Sequence, residues 1–75
     1  MEALLEILTN LHPEVDFKSC KTLVDDRIID SFDIVTIISE INDEYDVVIP
    51  AEEIIPDNFN SAEALYELIL RLEDE

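Results

Sequence analysis

Glycine is absent from all 75 residues, tryptophan is absent too, and cysteine and histidine occur once each, as Cys20 and His12. Without glycine there is no nucleophile elbow and no close backbone oxyanion hole. The sharp turn of an EF-hand loop is missing as well, and the acids around residue 30 lack its ligand spacing. Any left-handed turn position is expected to fall to Asn or Asp. One cysteine excludes an internal disulfide, and a single Cys with a single His cannot supply a tetrahedral N/S metal site. The lone thiol fits a reducing compartment, so a cytoplasmic location is expected. Lys18 and Lys21 flank Cys20, but no catalytic frame accompanies it. Basic residues are also scarce, with four Lys and Arg against twenty Asp and Glu, a net charge of −16. That balance argues against direct nucleic-acid binding, which needs a basic footprint. It disfavours anionic membrane surfaces for the same reason. It predicts attraction to basic partner surfaces that weakens as salt rises; acid that merely keeps the chain soluble would look the same. No apolar run is long enough to cross a membrane. The opening "MEALLEILTNLH" is short, lacks a basic start and carries Glu2 and Glu6, so neither membrane insertion nor a signal peptide is expected.

What is present is a dense apolar content, 48% of the residues, mostly Leu, Ile and Val. A chain this short buries only about 60–65% of the surface it exposes when unfolded, so a single domain over 1–75 must use that content efficiently. Three stretches carry the helical period: Leu4, Ile7, Leu8 and Leu11; Ile34, Ile37, Ile38, Ile41 and Tyr45; and Leu65, Leu68, Ile69 and Leu72. Pro13 stops the first near His12. Asp30 is a good N-cap for the second, with Asp33 in the first turn, where negative charge suits the helix dipole. Asn60 opens the third, with Glu63 three residues on. Between them Pro50 starts, and Pro56 closes, about one turn of helix. The expected helices are therefore 2–12, 30–45, 51–55 and 60–72. From Pro13 to Ile29 runs a long connection in which Val15, Phe17, Leu23, Val24, Ile28 and Ile29 are spaced as anchors, which predicts an ordered loop. The architecture is all-α, a compact bundle of three longer helices and one short one, with a long ordered loop between the first two.

Ser31 sits where this loop becomes a helix. At ~100° per residue, with the buried stripe centred on the isoleucines, Val35 lies roughly 100° away, Ser39 roughly 140° and Phe32 roughly 160°. Phe32 and Val35 would then form a small exposed apolar strip beside Ser31, framed by Asp30, Asp33, Glu40, Asp43 and Glu44. The plainer alternative folds Phe32 back under the loop and leaves Ser31 an ordinary first-turn residue. A serine nucleophile needs a positioned base, and the only histidine ends a different helix. The carboxylates are too many to single out a general acid and base, and a domain this small has little room for a substrate pocket. Catalysis by the chain itself is not expected.

The segment "VDDRIIDSFDIVTIISEINDEYDVVIPAEEI", Val24 to Ile54, resembles the acyl and peptidyl carrier proteins. Their hallmark Asp-Ser-Leu opens the second helix, and it stands here as Asp30-Ser31-Phe32. "NDEYDVVIPAEE" matches the family's downstream aromatic after acids, its apolar-Pro pair (Ile49-Pro50) and its short acidic helix. The likeness extends over nearly the whole chain. It implies that Ser31 is esterified with 4'-phosphopantetheine, taken from coenzyme A by a separate phosphopantetheinyl transferase. The arm's thiol then carries an acyl or aminoacyl group as a thioester for an adenylating ligase or an acyl or peptide synthase. Asp30, Phe32, Asp33, Val35, Ser39 and Glu40 become the partner-binding surface of a monomer. The departures are informative. Fatty-acid carriers often have glycine shortly before Asp-Ser, where this chain has Arg27, Ile28 and Ile29, and an apolar contact where Ser39 stands. "IIDSF" leans toward the D-alanyl carriers of teichoic acid modification, although those commonly have Gly where Asp33 stands. The competing reading is an unmodified acidic helical module that docks through Phe32 and Val35.

Overall fold

The structure, a computed structural model, describes residues 1–74. Its elements are α1 (Glu2–Leu11), α2 (Ser31–Tyr45), a 3-10 turn (Ala51–Glu53), α3 (Pro56–Phe59) and α4 (Ala62–Glu73). The fold is all-α, with no strand among the described residues. No helix among the described residues is long and apolar enough to cross a membrane. The radius of gyration is 11.1 Å, close to the roughly 11 Å of a compact chain of this length. The long loop is therefore folded onto the helices.

α1 packs against α2 and α4, and α3 packs against α4. The shared core is built from the helical stripes: Leu4 and Leu8 of α1, Ile37 and Ile41 of α2, Leu65, Leu68 and Ile69 of α4, with Phe59 of α3 fully buried among them. α1 differs from its sequence pattern in one position. Leu5 and Leu11 join the core's edge, whereas Ile7 lines a shallow groove with Glu40 and Glu44 of α2.

The loop owes its order to apolar anchors and to one helix-like turn. Phe17, Leu23 and Ile29 are buried, and Val15, Val24 and Ile28 pack partly against them. Residues 23–28 close on themselves: the Ile28 N–H donates to Leu23 O at 2.9 Å and the Arg27 N–H to Val24 O at 3.0 Å. This pair of bonds around a left-handed residue is the Schellman pattern that ends helices. Arg27 holds the left-handed position at φ 59°, and Asp46 holds the other at φ 56°, just past α2. The expectation that Asn or Asp would fill such sites is met by Asp46 and corrected by Arg27. The local bond pair and the buried Leu23 outweigh a side-chain preference of about 1–2 kcal/mol.

Two helix boundaries also need correction. The short helix expected over 51–55 is a 3-10 turn, and the short α-helix follows Pro56 rather than ending there. Pro56 lacks an N–H, which costs nothing at a helix's first position, and it keeps Ile55 extended at φ −126°, ψ 155°. The fourth helix is capped by Ser61, whose Oγ accepts the Ala64 N–H at 3.0 Å. Asn60 instead fastens the loop: its Oδ1 accepts the Val24 and Asp25 N–H groups at 2.9 and 3.0 Å, and its carbonyl accepts the Leu23 N–H at 2.9 Å. A further clamp joins the 3-10 turn to α4. Arg71 donates to both Glu53 carboxylate oxygens, at 2.8 and 3.3 Å, and its guanidinium holds the Glu53 carboxyl below its ordinary range. Lys21 pairs with Glu63 across the loop and α4.

Candidate functional site around Ser31

The start of α2 is fixed by a reciprocal cap. Asp30 Oδ1 accepts the Asp33 N–H at 2.9 Å, and Asp33 Oδ2 accepts the Asp30 N–H at 3.3 Å. Upstream, the Ile29 N–H donates to Leu23 O and the Ile29 side chain is buried. Loop anchor and cap together set the direction in which residue 31 leaves the core. Ser31 is the first helical residue and is exposed. Its hydroxyl makes no hydrogen bond to any described residue. The cap uses the N–H groups of Asp30 and Asp33; those of Ser31 and Phe32 have no acceptor among the described residues. Two free amide donors therefore point out of the helix start beside a free hydroxyl, a setting that favours a negatively charged group.

Phe32 is 80% exposed and Val35 65%. The phenyl ring is thus outside, not folded under the loop. Phe32, Val35 and Ser39 fall within an arc of ~60° on α2, and all three are exposed, so the helix brings them onto one face. Glu40 is ~140° from Val35 and belongs elsewhere. It lines the shallow groove between α1 and α2, about 300 Å³, with Glu6 and Glu44. Asp30 and Asp33 are occupied by the cap, and the Asp33 side chain is only 19% exposed.

Sequence reasoning missed the role of His12. It ends α1, where its N–H donates to Leu8 O at 3.0 Å, and its Nε2–H donates to Asp33 Oδ2 at 2.8 Å. Its Nδ1 lies 3.3 Å from Glu14 Oε1. Only the imidazolium can donate to both carboxylates, and the Asp33 hydrogen bond raises the His12 pKa above its ordinary 6.5, against the opposing effect of burial. The ring makes no hydrogen bond with the Ser31 hydroxyl, so no Ser-His pair is formed. Its separation of 21 residues from Asp33 left no local pattern to find. No group of three or more His, Cys, Asp or Glu side chains among the described residues is placed to hold a metal ion.

Comparison with protein-family models, curated proteins and solved structures gives no match. What the site can do follows from its chemistry. No base among the described residues is hydrogen-bonded to the Ser31 hydroxyl, which stands exposed at a capped helix start beside the apolar Phe32 and Val35.

Proposed function

We propose that this chain is a carrier protein that bears 4'-phosphopantetheine on Ser31 and presents acyl or aminoacyl thioesters to partner enzymes. The observation that supports this most directly is that Ser31 is exposed and its hydroxyl is bonded to no described residue, at a helix start whose cap leaves two amide donors without an acceptor among the described residues. In the transfer, Ser31 Oγ forms a bond to the phosphorus of coenzyme A that bears the pantetheine. The pyrophosphate bond on its other side breaks, adenosine 3',5'-bisphosphate leaves, and the serine proton passes to a base of the transferase. The resulting phosphodiester fits the residues present, because the Ser31 and Phe32 N–H groups suit its anionic oxygens. When bound, the arm supplies a thiol that holds cargo as a thioester. The chain supplies attachment, orientation and a docking face, and is itself no enzyme.

The four helices, the long loop before α2 and the Asp30-Ser31-Phe32 start support the reading of an acyl-carrier-like bundle. The pattern "IIDSF" favours aminoacyl cargo of the D-alanyl kind, loaded by an adenylating ligase; an acyl or peptide synthase is the other partner class. Basic partner surfaces accord with the charge, a cytoplasmic setting with the lone thiol, and a monomeric state with the carrier reading. The test is incubation with coenzyme A and a broad-specificity phosphopantetheinyl transferase, read by intact mass. A gain of one phosphopantetheine that disappears in Ser31→Ala supports the reading; no gain, or a gain that survives that substitution, overturns it.

The exposure of Phe32 and Val35 also favours a second reading, an unmodified acidic module that docks by this face. It predicts partner capture lost in Phe32→Ala and untouched in Ser31→Ala.

A further inference from the structure

The His12 contact joins two elements at the one place where the proposed attachment needs them joined. His12 is the C-cap of α1, Asp30 is the N-cap of α2, and a loop separates them. Asp33 Oδ2 accepts from His12 and from the Asp30 N–H at once, so the imidazole ring and the cap share one oxygen. The ring is 25% exposed and the carboxylate 19%, shielded enough for the charge-assisted bond to hold its geometry. Charged groups facing the ring are Asp33 and, through the cap, Asp30 from α2, with Glu14 from the loop; all three are acids. Ser31 lies between Asp30 and Asp33 in sequence, and an anionic phosphodiester there adds negative charge to both. Among the described residues, the imidazolium is the one cation bonded into this group.

We propose that His12 is a positioning residue for Ser31: as an imidazolium it holds Asp33 in the cap and offsets the acids around the attachment point, making Ser31 a better phosphopantetheine acceptor when His12 is protonated. This rests on the carrier reading above. The proton is present below the ordinary imidazole value and is lost as pH rises through the higher folded one. Any advantage from His12 therefore belongs to the acid side and fades toward alkaline pH.

The test compares wild type, His12→Gln and His12→Arg as substrates of one transferase with coenzyme A, at pH 6 and pH 8.5. Taking ratios between variants at each pH cancels the enzyme's own titration. A charge-assisted bond at a partly exposed pair predicts that wild type exceeds His12→Gln in kcat by about threefold to tenfold at pH 6. That ratio should approach one at pH 8.5, where His12→Arg alone keeps the advantage. An effect confined to KM contradicts the proposal, since deprotonation makes the chain more acidic and should only improve docking to a basic enzyme. A ratio that does not change with pH is what a purely structural histidine gives, and it overturns the inference. Should wild type gain no mass at all, the carrier reading has failed separately. The cap claim is then decided on the unmodified chain, by amide exchange at Asp33 and Ile34, whose N–H groups Asp30 holds. Equal exchange rates in wild type and His12→Gln at pH 6 would overturn it; faster exchange in the variant, restored in His12→Arg, would uphold the clasp.

Discussion

Replacing Arg27 with glycine should stabilise the fold, and the structure sets the size of the effect. Arg27 sits at φ 59°, where a β-carbon crowds the backbone at a cost of about 1–2 kcal/mol and glycine does not. Part of the gain is offset, because glycine makes the unfolded chain more flexible by about 0.5–1 kcal/mol. The substitution also removes one of only four basic side chains. The clean comparison is therefore Arg27→Gly against Arg27→Ala, which lose the same charge and differ in whether a β-carbon remains. Arg27 is exposed and forms no ion pair among the described residues, so neither variant removes a specific bond. The expected margin is about 1 kcal/mol in favour of glycine, or roughly 4–8 °C in melting temperature for a domain of this size. Urea denaturation and thermal melts at fixed salt would measure it. An alanine variant more stable than the glycine one would mean that residue 27 is not left-handed, and the Schellman turn that delivers Ile29 to the core would have to be abandoned.

Other expectations follow from the same geometry. Asp30→Ala should cost about 1 kcal/mol by removing the cap, and Asp30→Asn clearly less; chemical denaturation separates them. Phe32→Ala should move stability by less than about 0.5 kcal/mol, whereas Ile37→Ala, in the sealed core, should cost about 2–5 kcal/mol of a total near 4–11 kcal/mol. The stability margin of wild type over His12→Gln should be fully present below pH 6.5 and vanish as pH rises through the higher folded value; melts at pH 5.5 and 8.5 check the sign, and a margin that grows with pH contradicts it. With a net charge of −16, self-repulsion should make the melting temperature climb with added salt or magnesium, and a melt indifferent to both would speak against that.

The helical stripes were legible because burial follows a fixed period. Ile37 and Ile41, or Leu65, Leu68 and Ile69, could hardly be arranged otherwise in an all-α chain of this size. The Asp30 cap was legible for a similarly local reason, an acid three residues into the helix it starts. Pro56 was misread because proline is compatible with both the end of one helix and the first residue of the next. Only the neighbouring backbone decides, and here Ile55 is extended. Asn60 had the right chemistry for a cap, but its side chain is committed to a loop more than 30 residues away in sequence, a partner no local pattern reveals. Arg27 shows the reverse: its side chain gives no hint of its backbone, which the turn imposes.

His12 shows why an abundance of one residue type hides a contact. Among twenty acids, a lone imidazole has many conceivable partners, and sequence spacing ranks none above another. The fold selects Asp33, and that choice changes what the surrounding charge can do. Asp30 and Asp33 look from sequence like the acids closest to any incoming basic enzyme. Their oxygens instead hold each other's N–H groups and, for Asp33, the His12 ring. On the carrier reading proposed above, their work would be to aim residue 31, and steering would fall to the exposed acids further along α2, Glu40, Asp43 and Glu44. The two tasks separate kinetically. Charge removed at Glu40, Asp43 or Glu44 should raise the KM of a basic partner, with a steeper effect at low salt. Charge removed at Asp33 should lower the turnover of whatever chemistry is done on Ser31, at any salt. A single acidic surface serving both purposes would give one pattern for all of these positions.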